Sequence, residues 1–333
     1  MRARQGGVYT RFNKTDRQNV RLRQCWGRAR DVGPELEGKA SGMLPGMEPK
    51  PRIAIVGPGN LGTALGLALR RAGYDIDSVI TRPGAKSRTK ARLLARKLNT
   101  RAWEDVAQVN ADLFWLCVPD SLIREAARGL SGQRDWKRIV VLHSSGALAS
   151  DELQALRAKG AAVASVHPMM TFVGGAQPAF AGVPFAVEGD AAAVRLAQQI
   201  VLSLGAQAYP IRKRDKPAYH AWGTFASPLF TALLATTEQV ARLAGVPAKD
   251  ARKRMIPILL QTLANYSAFG APEAFSGPII RGDVQTVRQH LRALRKAPVA
   301  RDVYASLVKA ALEYLPAKNS AALAKALRRS SIR

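Results

Sequence analysis

Cysteine is nearly absent from this chain: 333 residues carry only Cys25 and Cys117. Two cysteines cannot staple a small secreted fold. A thiol placed in an apolar strand, as Cys117 is, fits a reducing, cytoplasmic setting. Histidine is also scarce, with four copies and no H-x-x-x-H or paired-cysteine spacing among them, so no metal site is expected. Aromatic residues make up 6% of the chain, too few to interleave with a basic patch as base-stacking surfaces do. No apolar stretch is long enough for a membrane span. The least polar segment, 221–235, is interrupted by Gly223, Ser227, Pro228 and two threonines. The N-terminus lacks the apolar core of a secretory signal. A soluble, cytoplasmic protein is expected.

Acidic residues are outnumbered, 24 against 51 Lys and Arg, giving a formal charge of +27. The cations are scattered through helical segments, and no nucleic-acid motif accompanies them. They read as a solvated basic surface that favours anionic small molecules, with neither nucleic acid nor membrane as a partner. Residues 1–50 are arginine-rich and aperiodic, and they end in a Gly/Pro/Met-rich stretch. They are expected to form a disordered extension, with Met43 or Met47 as an alternative start.

What is present begins at Arg52. The apolar run Ile53-Ala54-Ile55-Val56 leads directly into Gly57-Pro58-Gly59-Asn60-Leu61-Gly62 and then into a helical pattern with Leu61, Leu65 and Leu69 on one face. Strand, glycine-rich turn and helix in that order form a phosphate-binding element for a dinucleotide. Gly57 permits the tight turn, Gly59 lets the backbone approach a pyrophosphate, and Gly62 lets helix and strand pack closely. The helix start supplies free N–H groups and partial positive charge. The second strand ends at Thr81-Arg82, where an NAD site usually carries a carboxylate. Arg82, with Thr81, would instead bind a 2′-phosphate. One such charge-assisted bond, about 1.5–3 kcal/mol, gives roughly 10- to 150-fold preference for NADP.

Strands are expected at 52–56, 77–81, 112–118, 138–143, 161–166, 184–187 and 206–210. Helices should fill 60–72, 87–98, 120–129, 151–158 and 190–204. This alternation predicts an α/β doubly wound parallel sheet. Beyond about Lys213 only helical periodicity remains, at 216–244, 248–268, 284–296, 298–314 and 319–329. The expected organisation is a nucleotide-binding domain over 51–212 and an all-helical substrate and dimerisation domain over 213–330, with the site in the cleft between them.

Chemistry is expected at the carboxyl ends of the strands. One strand ends in Val118-Pro119-Asp120, where Val118 and Pro119 border the cofactor and Asp120 reads as a helix N-cap. The next ends in His143-Ser144-Ser145-Gly146, and the one after in His167-Pro168-Met169. Hydride transfer at a carbonyl or imine carbon also needs a proton moved, and an imidazole with a pKa near working pH suits that task. His167 is the candidate general acid/base, oriented by Ser144 or Ser145. His143 either touches substrate or shapes the turn. Lys216 and His220 lie four apart on one helix and should face the same way. Lys216 could bind a carboxylate, relay a proton, or be a solvated cation. Arg281 could clamp an acid group, and Asp283 is most simply an N-cap.

These motifs together give the chain a family resemblance. With Tyr219-His220-Ala221 and Gly277-Pro278-Ile279 through Asp283 added, it resembles the Rossmann-like oxidoreductases that carry a C-terminal domain of unknown function 2520. Wider relatives include ketopantoate, pyrroline-5-carboxylate and prephenate enzymes and 6-phosphogluconate dehydrogenase. Prephenate dehydrogenase has a serine after one strand and a catalytic His-Pro after the next, and Ser145 and His167 fall at similar places. The resemblance implies a homodimer paired through the helical domain. Members often carry an asparagine where this chain reads Ala226-Ser227-Pro228, and Pro228 would kink the helix. Two readings follow: an NADP-dependent oxidoreductase acting on a small anionic carbonyl or imine compound, or a non-catalytic NADP-binding sensor of the same fold.

Overall fold

The computed structural model describes residues 50–174 and 179–330, so the expected N-terminal extension lies outside the described residues. The apolar runs become eight strands: β1 (Ile53–Val56), β2 (Ile76–Ile80), β3 (Arg101–Trp103), β4 (Leu113–Leu116), β5 (Val140–His143), β6 (Ala162–Pro168), β7 (Pro184–Gly189) and β8 (Gln207–Pro210). They form one sheet in the order β3-β2-β1-β4-β5-β6-β7-β8. The central strands are buried on both faces, as their unbroken apolar sequences require: Ile53, Ile55, Trp115 and Leu142 face one core, and Ala54, Phe114, Leu116 and Val141 face the other.

Between the strands run α1 (Asn60–Arg71), α2 (Ala85–Leu98), α3 (Asp120–Ser131), α4 (Gln154–Arg157) and α5 (Ala191–Ser203). The helix expected over 151–158 is instead a 3-10 turn, Ser150–Leu153, followed by the single α-turn of α4. Helix α1 turns Leu65 and Leu69 onto the sheet, and α2 stops at Asn99 in a left-handed conformation.

The sheet is not wholly parallel. β6 and β7 run antiparallel, with Ser165 opposite Glu188 and His167 opposite Ala186. A parallel step needs a crossover long enough to bring the chain back over the sheet, usually as a helix. The segment between Pro168 and Pro184 supplies none among its described residues, so the strand returns antiparallel. β8 pairs parallel to β7 across α5, as a helical crossover allows.

After the sheet come α6 (Lys216–Thr224), a π-turn over Phe225–Leu229, and α7 (Phe230–Leu243). The π-turn contains Pro228. The wider turn absorbs the missing N–H and the ring, so the expected kink becomes a local bulge. Two compact units are present, and the sheet unit extends to Thr231, past the boundary expected at residue 212. The extension follows from α6, which buries Lys216 and Tyr219.

The second unit, described from Ala232 onward, contains α8 (Ala248–Ala274), α9 (Val284–Ala293), α10 (Pro298–Tyr314) and α11 (Ser320–Ser330). Val287, Leu291, Val308, Leu323 and Leu327 form its core. Asp283 caps α9 by accepting from Thr286 N at 3.0 Å. On α8, by contrast, Ile258, Leu263, Tyr266 and Phe269 are all more than half exposed.

Candidate functional site

The glycine turn after β1 has the geometry its sequence demands. Gly57 has φ +106°, and a Cβ there would lie 2.8 Å from the Cys117 carbonyl oxygen. A Cβ on Gly62 would lie 2.1 Å from the Gly57 carbonyl oxygen, which is how closely the helix rides on the strand end. Gly59 differs, because a Cβ there would meet only the Cys117 oxygen at 3.8 Å. Its open side suits a ligand rather than protein packing. Gly59 is the N-cap of α1, no side chain caps the helix, and its first turn holds no acid. The turn and helix start therefore fit a diphosphate, with Gly57 to Gly62 as the residues that would hold it. Asn60 Nδ2 donates to the Phe172 carbonyl at 3.1 Å, tying this turn to the chain that follows β6.

At the end of β2 the two expected contacts separate. Arg82 is exposed. Thr81 is buried, its N–H donates to Trp103 and its hydroxyl is turned to the Arg82 carbonyl. The hydroxyl expected on a 2′-phosphate therefore faces inward, which leaves Arg82 as the remaining one of the two candidates for that contact. Val118 borders the glycine turn, with Cγ1 3.1 Å from a Cβ built on Gly57, and Pro119 follows it as the N-cap of α3.

Beyond the turn, β5 and β6 bring a polar cluster together. Alternation along a strand puts Ser165 and His167 on one face of β6, with His143 of β5 paired beside Ser165 and Glu188 of β7 on its other side. His167 is half-buried. Its Nδ1 lies 2.7 Å from the Tyr219 hydroxyl, and the rings meet edge-to-face at 5.4 Å. The exposed His220 ring is 6.4 Å from that of His167. Gly146 lies against both: a Cβ on it would be 2.8 Å from His167 Nε2 and 2.9 Å from His220 Cδ2.

Burial first, and then the Lys216 ammonium with His220 and His143, lowers the His167 imidazole to about 4. That differs from the near-neutral value expected of a general acid/base: the ring is uncharged at pH 7. Burial pushes the Tyr219 phenol up, so it keeps its proton. Where that hydroxyl donates to Nδ1, the imidazole hydrogen resides on Nε2; where Nδ1–H donates to the hydroxyl oxygen, Nε2 is left as an acceptor.

Other expected site residues are placed differently. Ser144 and Ser145 do not orient His167. Ser144 Oγ accepts from Trp115 Nε1 at 2.8 Å, and Ser145 Oγ donates to Asp120 Oδ2 at 2.8 Å while accepting from Leu148 N. Tyr219 is the orienting partner instead. Asp120 is not an N-cap, because Pro119 holds that position and the carboxylate is engaged by Ser145.

His143 is fully buried, with Nε2 at the Ala149 carbonyl (3.1 Å) and Nδ1 accepting from Ser145 N (3.1 Å). Burial holds it down at about 4, and both nitrogens are committed to shaping the turn, which leaves none for substrate. Lys216 is fully enclosed. Its Nζ donates to Ser165 Oγ at 2.8 Å and to the Ser145 carbonyl at 3.1 Å, and burial brings the ammonium down to about 8. It is neither a solvated cation nor an open carboxylate site. Arg281 lies exposed in the second unit.

Ser165 and Glu188 are not singled out by the sequence, and Tyr219 enters there only within the Tyr219-His220-Ala221 motif, with no role of its own. Period-two alternation from His167 reaches Ser165, and helical spacing from Lys216 reaches Tyr219, but only the sheet order reveals Glu188.

A Rossmann-like domain matches residues 40–168, and a domain of unknown function, DUF2520, matches residues 183–311. No curated protein matches the chain. Among solved structures, a protein of Bacteroides fragilis assigned as an NADP oxidoreductase is 24% identical, with a TM-score of 0.65, 78% of this chain covered and 97% of that one. A reductive aminase from Aspergillus terreus, in complex with NADPH and ethyl-5-oxohexanoate, is 15% identical, with a TM-score of 0.59 and coverage of 83% and 99%. A pyrroline-5-carboxylate reductase from Coxiella burnetii is 16% identical, with a TM-score of 0.52 and coverage of 85% and 98%.

Proposed function

This chain joins a Rossmann-like domain to a C-terminal domain of unknown function 2520, and on that footing we propose that it is an NADP-dependent oxidoreductase acting on a small carbonyl or imine compound. The observation that carries the reading is a phosphate cradle with an uncapped helix start, standing at the same sheet edge as a half-buried histidine oriented by a tyrosine. Gly57, Pro58, Gly59, Asn60, Leu61 and Gly62 hold the diphosphate, Val118 and Pro119 flank it, and Arg82 takes the 2′-phosphate. Bound there, NADPH supplies a hydride, and its oxidised form accepts one.

The chain's own residues handle the proton. A neutral imidazole near pKa 4 is a weak base, but it donates a directed hydrogen bond from Nε2, as a neutral histidine electrophile does. In reduction it polarises the substrate oxygen or nitrogen. In oxidation the ring takes its other neutral tautomer, with Nδ1–H donating to the Tyr219 oxygen, so that the Nε2 lone pair receives the proton of a substrate hydroxyl or amine while Tyr219 fixes the ring's orientation. Homodimerisation is part of the proposal, supported by the exposed apolar face of α8.

A screen following NADPH absorbance across keto acids, cyclic imines and prephenate-like compounds tests the reading. Turnover that falls at least tenfold in His167→Ala, with NADPH affinity little changed, supports it. The second reading, a non-catalytic NADP-binding sensor, draws on the low basicity of His167. Tight NADPH binding with no turnover throughout the screen would favour it.

A further inference from the structure

Lys216 is a costly side chain to place in the sheet unit. It is fully buried, and among the described residues its ammonium bonds only a hydroxyl and a carbonyl rather than a carboxylate. An apolar residue of similar length would fill the same volume without desolvating a charge. The ammonium is therefore retained for what its bonds do. Those bonds run to two different strand ends. Ser165 Oγ sits on β6 two residues before His167, and the Ser145 carbonyl sits beyond β5, one residue before Gly146. Ser165 Oγ itself donates to the same Ser145 carbonyl at 3.1 Å, closing a three-membered hydrogen-bonded ring of Lys216, Ser165 and Ser145. Ser145 continues the network through its hydroxyl to Asp120. His167 and Gly146, whose contact sets where Nε2 sits, thus leave from the two strands that Lys216 clasps. Tyr219, which holds Nδ1, is one helical turn along from Lys216 on the buried face of α6.

We propose that Lys216 is a positioning residue: it pins the start of α6 to the carboxyl ends of β5 and β6, and so fixes the mutual placement of Tyr219, His167 and Gly146, without carrying a proton to or from substrate. A proton carrier needs a face toward its partner, and this ammonium has none. The same charge also helps keep both neighbouring imidazoles neutral, since the Lys216 ammonium disfavours protonation of His167 and His143. The titratable groups facing this assembly are His143 from β5, Glu188 from β7, Asp120 from α3, Tyr209 from β8, and Tyr219 and His220 from α6. The functional meaning of the role rests on the proposed reading of His167, but the test does not require a substrate.

Four histidines make ring-labelled histidine NMR tractable on the whole chain, with each resonance assigned by single His→Gln changes. In Lys216→Met, loss of the cation should raise the His167 titration by about one unit, and His143 in the same direction. The His167 resonances should also broaden as its contact with Tyr219 loosens. A folded Lys216→Met protein whose His167 titrates and resonates as in wild type would overturn the proposal. So would a variant that loses turnover while His167 stays unchanged, because that is the signature of a proton carrier. Should Lys216→Met fail to fold, Ser165→Ala keeps the cation and removes its nearer acceptor. Displaced or broadened His167 signals then support the pin, and an unaltered spectrum refutes it. NADPH binding is measured separately on wild type. If it fails, the oxidoreductase reading fails while the Lys216 result stands.

Discussion

Gly146→Ala puts the central contact of the site under direct test. The added methyl would fall 2.8 Å from His167 Nε2 and 2.9 Å from His220 Cδ2, against carbon contacts that are comfortable at about 3.5 Å or more. His220 is exposed and can swing aside at little cost. His167 cannot, because β6 fixes its backbone and Tyr219 holds Nδ1 at 2.7 Å. Relieving the clash therefore either breaks the His167–Tyr219 hydrogen bond, worth about 1 kcal/mol net, or strains the turn after β5. Overpacking of this kind costs about 1–3 kcal/mol, which corresponds to a fall of roughly 3–10 °C in Tm for a unit of this size. Calorimetry of the purified protein measures the Tm change, and NADPH titration should show affinity nearly intact, since the glycine turn is untouched. A Tm within about 1 °C of wild type, with unchanged His167 NMR signals, would refute the close packing of Gly146 on His167 and the reasoning built on it.

Three further outcomes follow from the geometry. Arg82→Ala should erase roughly 10- to 150-fold of preference for NADPH over NADH in paired binding titrations, and equal affinities already in wild type would remove Arg82 from the site. His143 and His167 titrate near 4 when folded, against an ordinary 6.5. The unfolded chain therefore binds protons in that window while the folded one does not. Their contribution to stability is full above about 6.5 and is lost as pH falls toward 4. Denaturant midpoints across that range should drop, and His143→Gln should flatten the slope. Light scattering should report a dimer, and Ile258→Asp with Phe269→Lys should yield monomers; a monomeric wild type would refute the assembly.

The glycine turn was legible because its chemistry is local: three glycines, a strand before and a helix after leave little room for another geometry. The same holds for Asp283, whose capping role depends on a residue three positions away. Strand β3 escaped because three residues, Arg101 to Trp103, carry no apolar run and owe their pairing to β2. The reversed β7 was implied by the missing helix before it, yet alternation of strands and helices elsewhere argued for a uniform sheet. The parts played by Lys216 and Tyr219 are not legible in the sequence because their partners lie more than 50 residues away along the chain. Helical spacing says which residues share a face, but what that face meets is decided by the fold. Pro228 shows the same limit, since a π-turn relieves a clash that a sequence reading can only treat as a break.

Cys117 packs against the glycine turn, its carbonyl oxygen 2.8 Å from a Cβ built on Gly57 and its own Cβ 3.2 Å from one built on Gly62. Burial drives its thiol far above the ordinary range, so it stays protonated and chemically inert while the turn is closed. The molecule thus contains an internal clock. In a Cys25→Ser background, the rate at which an alkylating reagent reaches Cys117 counts openings of the nucleotide-binding corner, and a dinucleotide seated above it should slow that count in proportion to its occupancy.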